Sequence, residues 1–121
     1  MHELSIAQAV VAIADRQARG RRVSCVELRV GRLRQVVPSA LEFSWELVTD
    51  GTVAEGSELR IVDVPVRISC RACGAESQVD DFPLACTSCG SLDVDVVAGE
   101  ELQVEALEVQ EEEVVGATHS I

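Results

Sequence analysis

The segment Cys70-Arg71-Ala72-Cys73-Gly74, answered by Cys86-Thr87-Ser88-Cys89-Gly90, decides how this chain is read. Spacing of two residues within each pair lets both sulfurs reach one ion at about 2.3 Å, with backbone N–H groups pointing at the thiolates. Gly74 and Gly90 supply the positive φ that such a loop commonly needs. Two loops close a tetrahedron with no open position, which is a structural site and not a catalytic one. The same four ligands serve zinc or iron. Rubredoxin-like iron sites usually sit beside aromatic shielding, and this insert offers only Phe82, so zinc on Cys70, Cys73, Cys86 and Cys89 is expected. In a chain showing no secretory signal, two such pairs read as metal ligands before disulfides. Cys25, the fifth cysteine, falls on an expected strand and reads as a buried spectator.

Working outward, residues 66–97 hold the cysteine loops, with Gly74, Pro83 and Gly90 as turn formers. Upstream, Ile6, Val10 and Ile13 mark a helical stripe, widened by Ala7, Ala9, Val11 and Ala14 and ended at Gly20. From Val23 to Leu33 the chain alternates, with Val26, Leu28 and Val30 facing one way. A second helix is expected from Pro38, where a missing N–H costs nothing. Leu41, Trp45 and Val48 form its inner face, flanked by Phe43 and Leu47. A second strand, Glu58 to Val64, changes apolar parity midway, which predicts a bulge or a strand covered on both faces. After Gly99, Glu100 to Gln110 is β-like again.

The last strand is therefore expected to return to the first sheet, making the cysteine unit an insertion. The expected fold is α+β: two helices packed on a small antiparallel three-stranded sheet, with an inserted four-cysteine, zinc-ribbon-like domain. Residues 1–65 plus 98–113 form the first, discontinuous domain and 66–97 the second, while 114–121 are expected to be a flexible tail.

Composition narrows the function. The 121 residues carry 21 Asp+Glu against 10 Lys+Arg, a net charge of −11, and all ten bases are arginine. Nucleic-acid binding needs cations to neutralise phosphate, so that class is disfavoured. Hydrophobic residues reach 47%, too many for a disordered acidic chain. No apolar run approaches the roughly 20 residues of a membrane span, and a cytoplasmic protein is expected. The charge is also uneven. Residues 1–34 hold seven Arg against three acids, and residues 35–121 hold three Arg against 18 acids. Part of the basic segment is expected to balance strand Glu100–Gln110, leaving other arginines to steer the chain toward an acidic protein partner. The seven glutamates of Glu100–Glu113 read first as a solvated strand face and second as a partner surface.

The chain starts Met1-His2-Glu3. The Met1 amine, the His2 amide nitrogen and the His2 imidazole Nδ1 close five- and six-membered chelate rings on one ion, and the amide or carboxylate of Glu3 can add a fourth donor. Nitrogen-rich, square-planar donation suits Ni(II) or Cu(II). His119 lies in the expected tail and is given no role.

Met1-His2-Glu3-Leu4-Ser5, the stretch VGRLRQVVPSALEFSWELVTDGTVAEGSEL from Val30 to Leu59, and Gly99-Glu100-Glu101-Leu102 after the four-cysteine insert together resemble the HypA/HybF family of hydrogenase-maturation nickel metallochaperones. The resemblance covers about residues 1–110. It implies nickel on His2 with Met1 and Glu3 contributing, and structural zinc on Cys70, Cys73, Cys86 and Cys89. It also implies delivery of nickel to the precursor of a [NiFe]-hydrogenase large subunit with the GTPase partner HypB, and in some organisms service to urease maturation. Neither nucleic acid nor membrane is an expected partner. Competing readings are a zinc-ribbon adaptor or nucleic-acid module, which the charge disfavours, and an enzyme. Against the enzyme stand the closed cysteine site and the lack of a nucleophile–base pair, so none is expected.

Overall fold

A computed structural model describes residues 2–110 and 113–121, with 113–119 described by their backbone. Helix α1 (Glu3–Ala18) buries Ile6, Ala7, Val10, Ile13 and Ala14 of the expected stripe and Ala18 besides, with Ala9 and Val11 half-buried at its margin. It ends at Arg19 and Gly20, both left-handed at φ 51° and 82°. Strand β1 (Val23–Gly31) turns Val23, Val26, Leu28 and Val30 into the core. A single 3-10 turn, Arg32–Arg34, leads to helix α2 (Pro38–Thr49), which starts at the expected proline. Leu41 and Trp45 are buried, and the Trp45 Nε1–H donates to Ser57 Oγ at 3.0 Å. Phe43 and Leu47, expected to flank the inner face, instead stand in solvent at 62% and 58% exposure.

Strand β2 (Glu58–Val64) corrects the expected sheet. It runs parallel to β1, from Cys25 opposite Glu58 to Gly31 opposite Val64 without a register break. The physical reason is α2 itself: a helix between two strands carries the chain back across the sheet, so the second strand points the same way as the first. The expected bulge in β2 is absent. Its parity change leaves Val62 at the surface, while the register shifts fall between β1 and strand β6 (Leu102–Val109), which pair antiparallel. The first sheet also has a fourth strand. β7 (Glu113–Ser120) runs antiparallel to β6, so most of the segment expected as a flexible tail is ladder instead, and the order is β2-β1-β6-β7. The sheet is thus mixed and four-stranded, within an α+β fold.

Between β2 and β6 the chain builds a second sheet, β4-β3-β5, from β3 (Val66–Cys70), β4 (Glu76–Val79) and β5 (Val94–Ala98). Its small core is Val66, Ile68 and Val79, with Leu33, Leu84, Val94 and Val96 against it. Leu33 belongs to the 3-10 turn after β1, so the first unit inserts a side chain into the core of the second. The Gly31 N–H donates to Glu101 O at 2.7 Å and the Leu33 N–H to Gly99 O at 2.9 Å. Arg32 bridges Asp63 at 2.9 Å and Asp80 at 3.3 Å.

Because α1 and α2 each connect to β1 through short loops, both run against it. Their N-termini therefore lie at the C-terminal end of β1 and β2, the end from which the cysteine-bearing sheet departs. Among the described residues no helix is long and apolar enough to cross a membrane.

Candidate metal centre

The four cysteines converge through two copies of one backbone pattern. Cys70 closes β3. Its carbonyl accepts the Gly74 N–H at 2.9 Å, and its own N–H donates to Ala75 O at 2.9 Å. In the second loop the Cys86 carbonyl accepts from Gly90 at 2.8 Å, and the Cys86 N–H donates to Ser91 O at 2.9 Å. Gly74 and Gly90 sit at φ 77° and 76°, as the loop geometry demanded. The result brings all four Sγ atoms within 4.8 Å of one another. Cys70 and Cys86 are buried, and Cys73 and Cys89 face outward.

Geometry distinguishes a metal site from a disulfide pair. Cys70 Sγ lies 3.6 Å from Cys89 Sγ, and Cys73 Sγ 3.6 Å from Cys86 Sγ. A disulfide requires about 2.05 Å. A tetrahedron with metal–sulfur bonds of about 2.3 Å has edges of about 3.8 Å. The close contacts run across the two loops, so one ion would tie them together.

Ionisation points the same way. Cys86 is lowered to about 6 by the backbone N–H groups of Cys89 and Ser88. Cys70 is lowered by the Cys73 N–H, which lies 3.4 Å from its sulfur. Cys73 is pushed up to about 12 even though the Ala75 N–H favours its thiolate, because the sulfurs of Cys86 and Cys70 crowd it. Cys89 is raised as well, in spite of the Ser91 N–H, with Cys70 the largest opposing cause. Four sulfurs this close cannot all be anions without a cation among them. Such a donor set fits a tetrahedral, thiophilic ion.

A clamp that the sequence reading missed supports the first loop. Arg71 donates from Nε to Asp95 at 3.0 Å and from Nη1 to Asp93 at 3.2 Å, and its Nη2 also reaches Asp95. The Arg71 backbone N–H donates to Asp93 O at 3.0 Å. One arginine thus pins the loop to the start of β5. The guanidinium holds the Asp95 carboxyl below its ordinary value.

The N-terminal residues are arranged differently. Met1 lies outside the described residues. His2 is exposed immediately before α1, and its carbonyl accepts the Ile6 N–H at 2.9 Å, the first bond of the helix. Glu3 opens the helix with its side chain only 9% exposed and engaged in the fold. N–H groups in a first helical turn have no intrahelical acceptor, so the His2 and Glu3 amide nitrogens are not committed to the helix ladder. Cys25 is buried on β1, and burial pushes its thiol up. His119 lies on β7, opposite Val104. Of the glutamates in Glu100–Glu113, Glu101 Oε1 accepts the Gly99 N–H at 2.7 Å, and Glu111 and Glu112 lie outside the described residues. Arg34 Nε donates to the Glu100 backbone carbonyl at 2.7 Å, a bond to a neutral oxygen and not the charge balance expected between the arginines and strand Glu100–Gln110.

Comparison with known proteins adds a family to this geometry. Residues 1–109 match the family described as "Hydrogenase/urease nickel incorporation, metallochaperone, hypA". The hydrogenase maturation factor HypA of Geobacter sulfurreducens is 48% identical over 110 residues, covering 91% of this chain and all of that protein. Its counterpart in Acidithiobacillus ferrooxidans is 43% identical over 113 residues, with 91% and 100% covered. The solution structure of the Ni metallochaperone HypA from Helicobacter pylori superposes with a TM-score of 0.63 at 20% identity, covering 88% of this chain and 96% of that one. At that identity the likeness speaks for the fold.

Proposed function

Because the chain belongs to the HypA family of hydrogenase and urease nickel-incorporation metallochaperones, we propose that it carries Ni(II) at its N-terminus and delivers it to the precursor of a [NiFe]-hydrogenase large subunit, together with the GTPase HypB. The observation that carries the nickel assignment is His2: exposed, one residue ahead of the helix, with its amide nitrogen outside the helix ladder. The ligands are the Met1 amine, the His2 amide nitrogen and the His2 Nδ1. Glu3 can add its amide nitrogen or its carboxylate as a further donor. The positive end of the α1 dipole favours a deprotonated amide nitrogen at this point. Nickel is cargo here, and a site made from a chain terminus releases it when its nitrogens are protonated.

In the same proposal Cys70, Cys73, Cys86 and Cys89 hold zinc. The ion supplies no chemistry and joins the β3 loop to the second cysteine loop. Urease maturation is the alternative destination, since the family description names both enzymes. The protein works in the cytoplasm, as a carrier and not an enzyme.

The test is His2→Ala in the full chain with Met1 as its first residue. Calorimetric titration with nickel and elemental analysis for zinc are run on both proteins. Loss of nickel binding with unchanged zinc supports the assignment. Unchanged nickel affinity in His2→Ala overturns it.

A further inference from the structure

Helix α2 presents two ridges to solvent that neither metal site uses. Phe43 and Leu47, four residues apart, form an apolar ridge at 62% and 58% exposure. Beside it Glu42, Glu46 and Asp50 recur at the same interval and are all exposed. Side chains four apart on a helix stack into one ridge, so Phe43–Leu47 and Glu42–Glu46 run in parallel along about one turn, with Asp50 following just past the helix end. At the C-terminal end of α2 the ridges open into a groove of about 370 Å³, floored by Trp45 and closed on its far side by Glu55, Gly56 and Ser57. Carboxylates of Glu46, Asp50 and Glu55 stand around it. None of Glu42, Glu46, Asp50 and Glu55 has an ion-pair partner among the described residues. Arg22 Nη2 donates to the Glu55 backbone carbonyl at 2.8 Å and forms no ion pair with the Glu55 carboxylate.

An exposed Phe–Leu ridge bordered by acids without ion-pair partners is complementary to a surface that is both apolar and basic. We propose that the outer face of α2 docks a basic amphipathic helix of a partner protein. The partner's apolar side chains cover Phe43 and Leu47. A Lys or Arg on its flank enters the groove between Glu46, Asp50 and Glu55, where three carboxylates beside Leu47 suit a cation on an aliphatic stem. Charge decides the occupant. A second copy of this chain would bring the same acids face to face, and an anionic lipid surface would be repelled. α2 spans about 18 Å, and its N-terminus lies at the same end of the sheet as His2. A helix lying along it therefore extends from the groove toward the N-terminal end of the chain. This inference does not depend on the nickel assignment.

The probe is a synthetic amphipathic helix of about 14 residues, with leucines at i, i+4 and i+7 and lysines and arginines along one flank. Its control is the same peptide with every base replaced by glutamate. Trp45, the chain's one tryptophan, reports binding by fluorescence, and amide chemical-shift mapping locates it. The basic peptide is expected to bind on α2, with affinity falling as salt is raised. Phe43→Gln with Leu47→Gln, and separately Glu46→Lys with Asp50→Lys, should each weaken it roughly ten-fold or more. All four side chains are exposed, so far-ultraviolet dichroism and zinc content should be unchanged. If one pair unfolds the protein, the other still tests the surface. Equal binding by the glutamate peptide, shifts centred elsewhere such as on β6, unchanged affinity in both pairs, or no binding by about 1 mM overturns the proposal. So does a concentration-dependent dimer that the Phe43/Leu47 pair abolishes, because the face would then belong to a second copy.

Discussion

Gly31→Ala tests the junction between the two sheets, because ordinary expectation and the structure disagree on its sign. Gly31 sits at φ −73° and ψ 141°, extended backbone open to any residue. Replacing glycine by alanine in such a conformation stabilises a protein by about 0.4–1 kcal/mol, through the unfolded chain. Here a Cβ would lie 2.6 Å from the Glu100 amide nitrogen, and closer still to the Gly99 carbonyl. These are backbone atoms, and no flexible side-chain tip can yield. Reaching an ordinary separation of about 3.5 Å from the nearest of these atoms requires a shift of about 1.4 Å between β1 and the Gly99–Glu101 strand entry. That shift stretches the bonds from Gly31 to Glu101 (2.7 Å) and from Leu33 to Gly99 (2.9 Å). Each is worth about 1 kcal/mol, and overpacking adds about 1–3. Subtracting the unfolded-state gain leaves a net loss of about 2–4 kcal/mol. The assay is urea unfolding of the metal-loaded protein, followed by Trp45 fluorescence and far-ultraviolet dichroism. A transition midpoint equal to or above the parent's would refute the steric argument, and with it the close approach of Gly31 and Gly99.

Further outcomes follow from the same structure. With metal bound, thiol reagents should react slowly with all five cysteines. After chelation four should react quickly and Cys25 only on unfolding, and a fast fifth thiol would show that β1 does not bury it. Burial raises the Cys25 thiol above its ordinary 9.0. The stability this contributes is complete below that pH and is lost as pH rises through the folded-state value, so Cys25→Ala should soften the alkaline fall in the urea midpoint. Ending the chain after Gln110 removes β7 and bares the β6 edge. The matched family region stops at residue 109, so the shortened chain should still fold but self-associate in sedimentation, and a clean monomer at all concentrations would count against β7 as an edge cover. Arg71→Ala should keep all four cysteine ligands yet weaken metal retention against a chelator, and an unaltered metal off-rate would reduce the Asp93–Asp95 clamp to a surface ion pair.

What could be read from the chain beforehand, and what could not, follows the range of the interactions involved. α1 and the start of α2 were legible because Ile6, Val10 and Ile13, and then Pro38, act within a turn or two of their own positions. The convergence of the cysteines was legible for the same reason: each Cys-x-x-Cys-Gly loop carries its own hydrogen bonds, and only the meeting of the two loops is long-range. The parallel direction of β2 was not a property of Glu58–Val64. It follows from α2 acting as a crossover, which the alternating pattern of a strand does not encode. The Arg71 clamp depends on register, since Asp95 sits opposite Ser69 only once β3 and β5 have paired. β7 was read as tail because Glu111-Glu112-Glu113 and Gly116 interrupt any alternation. Its strand character comes instead from the open edge of β6, whose unpaired N–H and C=O groups recruit whatever backbone follows Gln110. Phe43 and Leu47 were misplaced for a related reason. Amphipathic spacing assigns apolar residues inward by default, and α2 carries more of them than one face of a 12-residue helix can bury. That surplus marks the outer face of α2 as a surface with work beyond holding the fold, because folding alone would have tolerated polar residues at both positions.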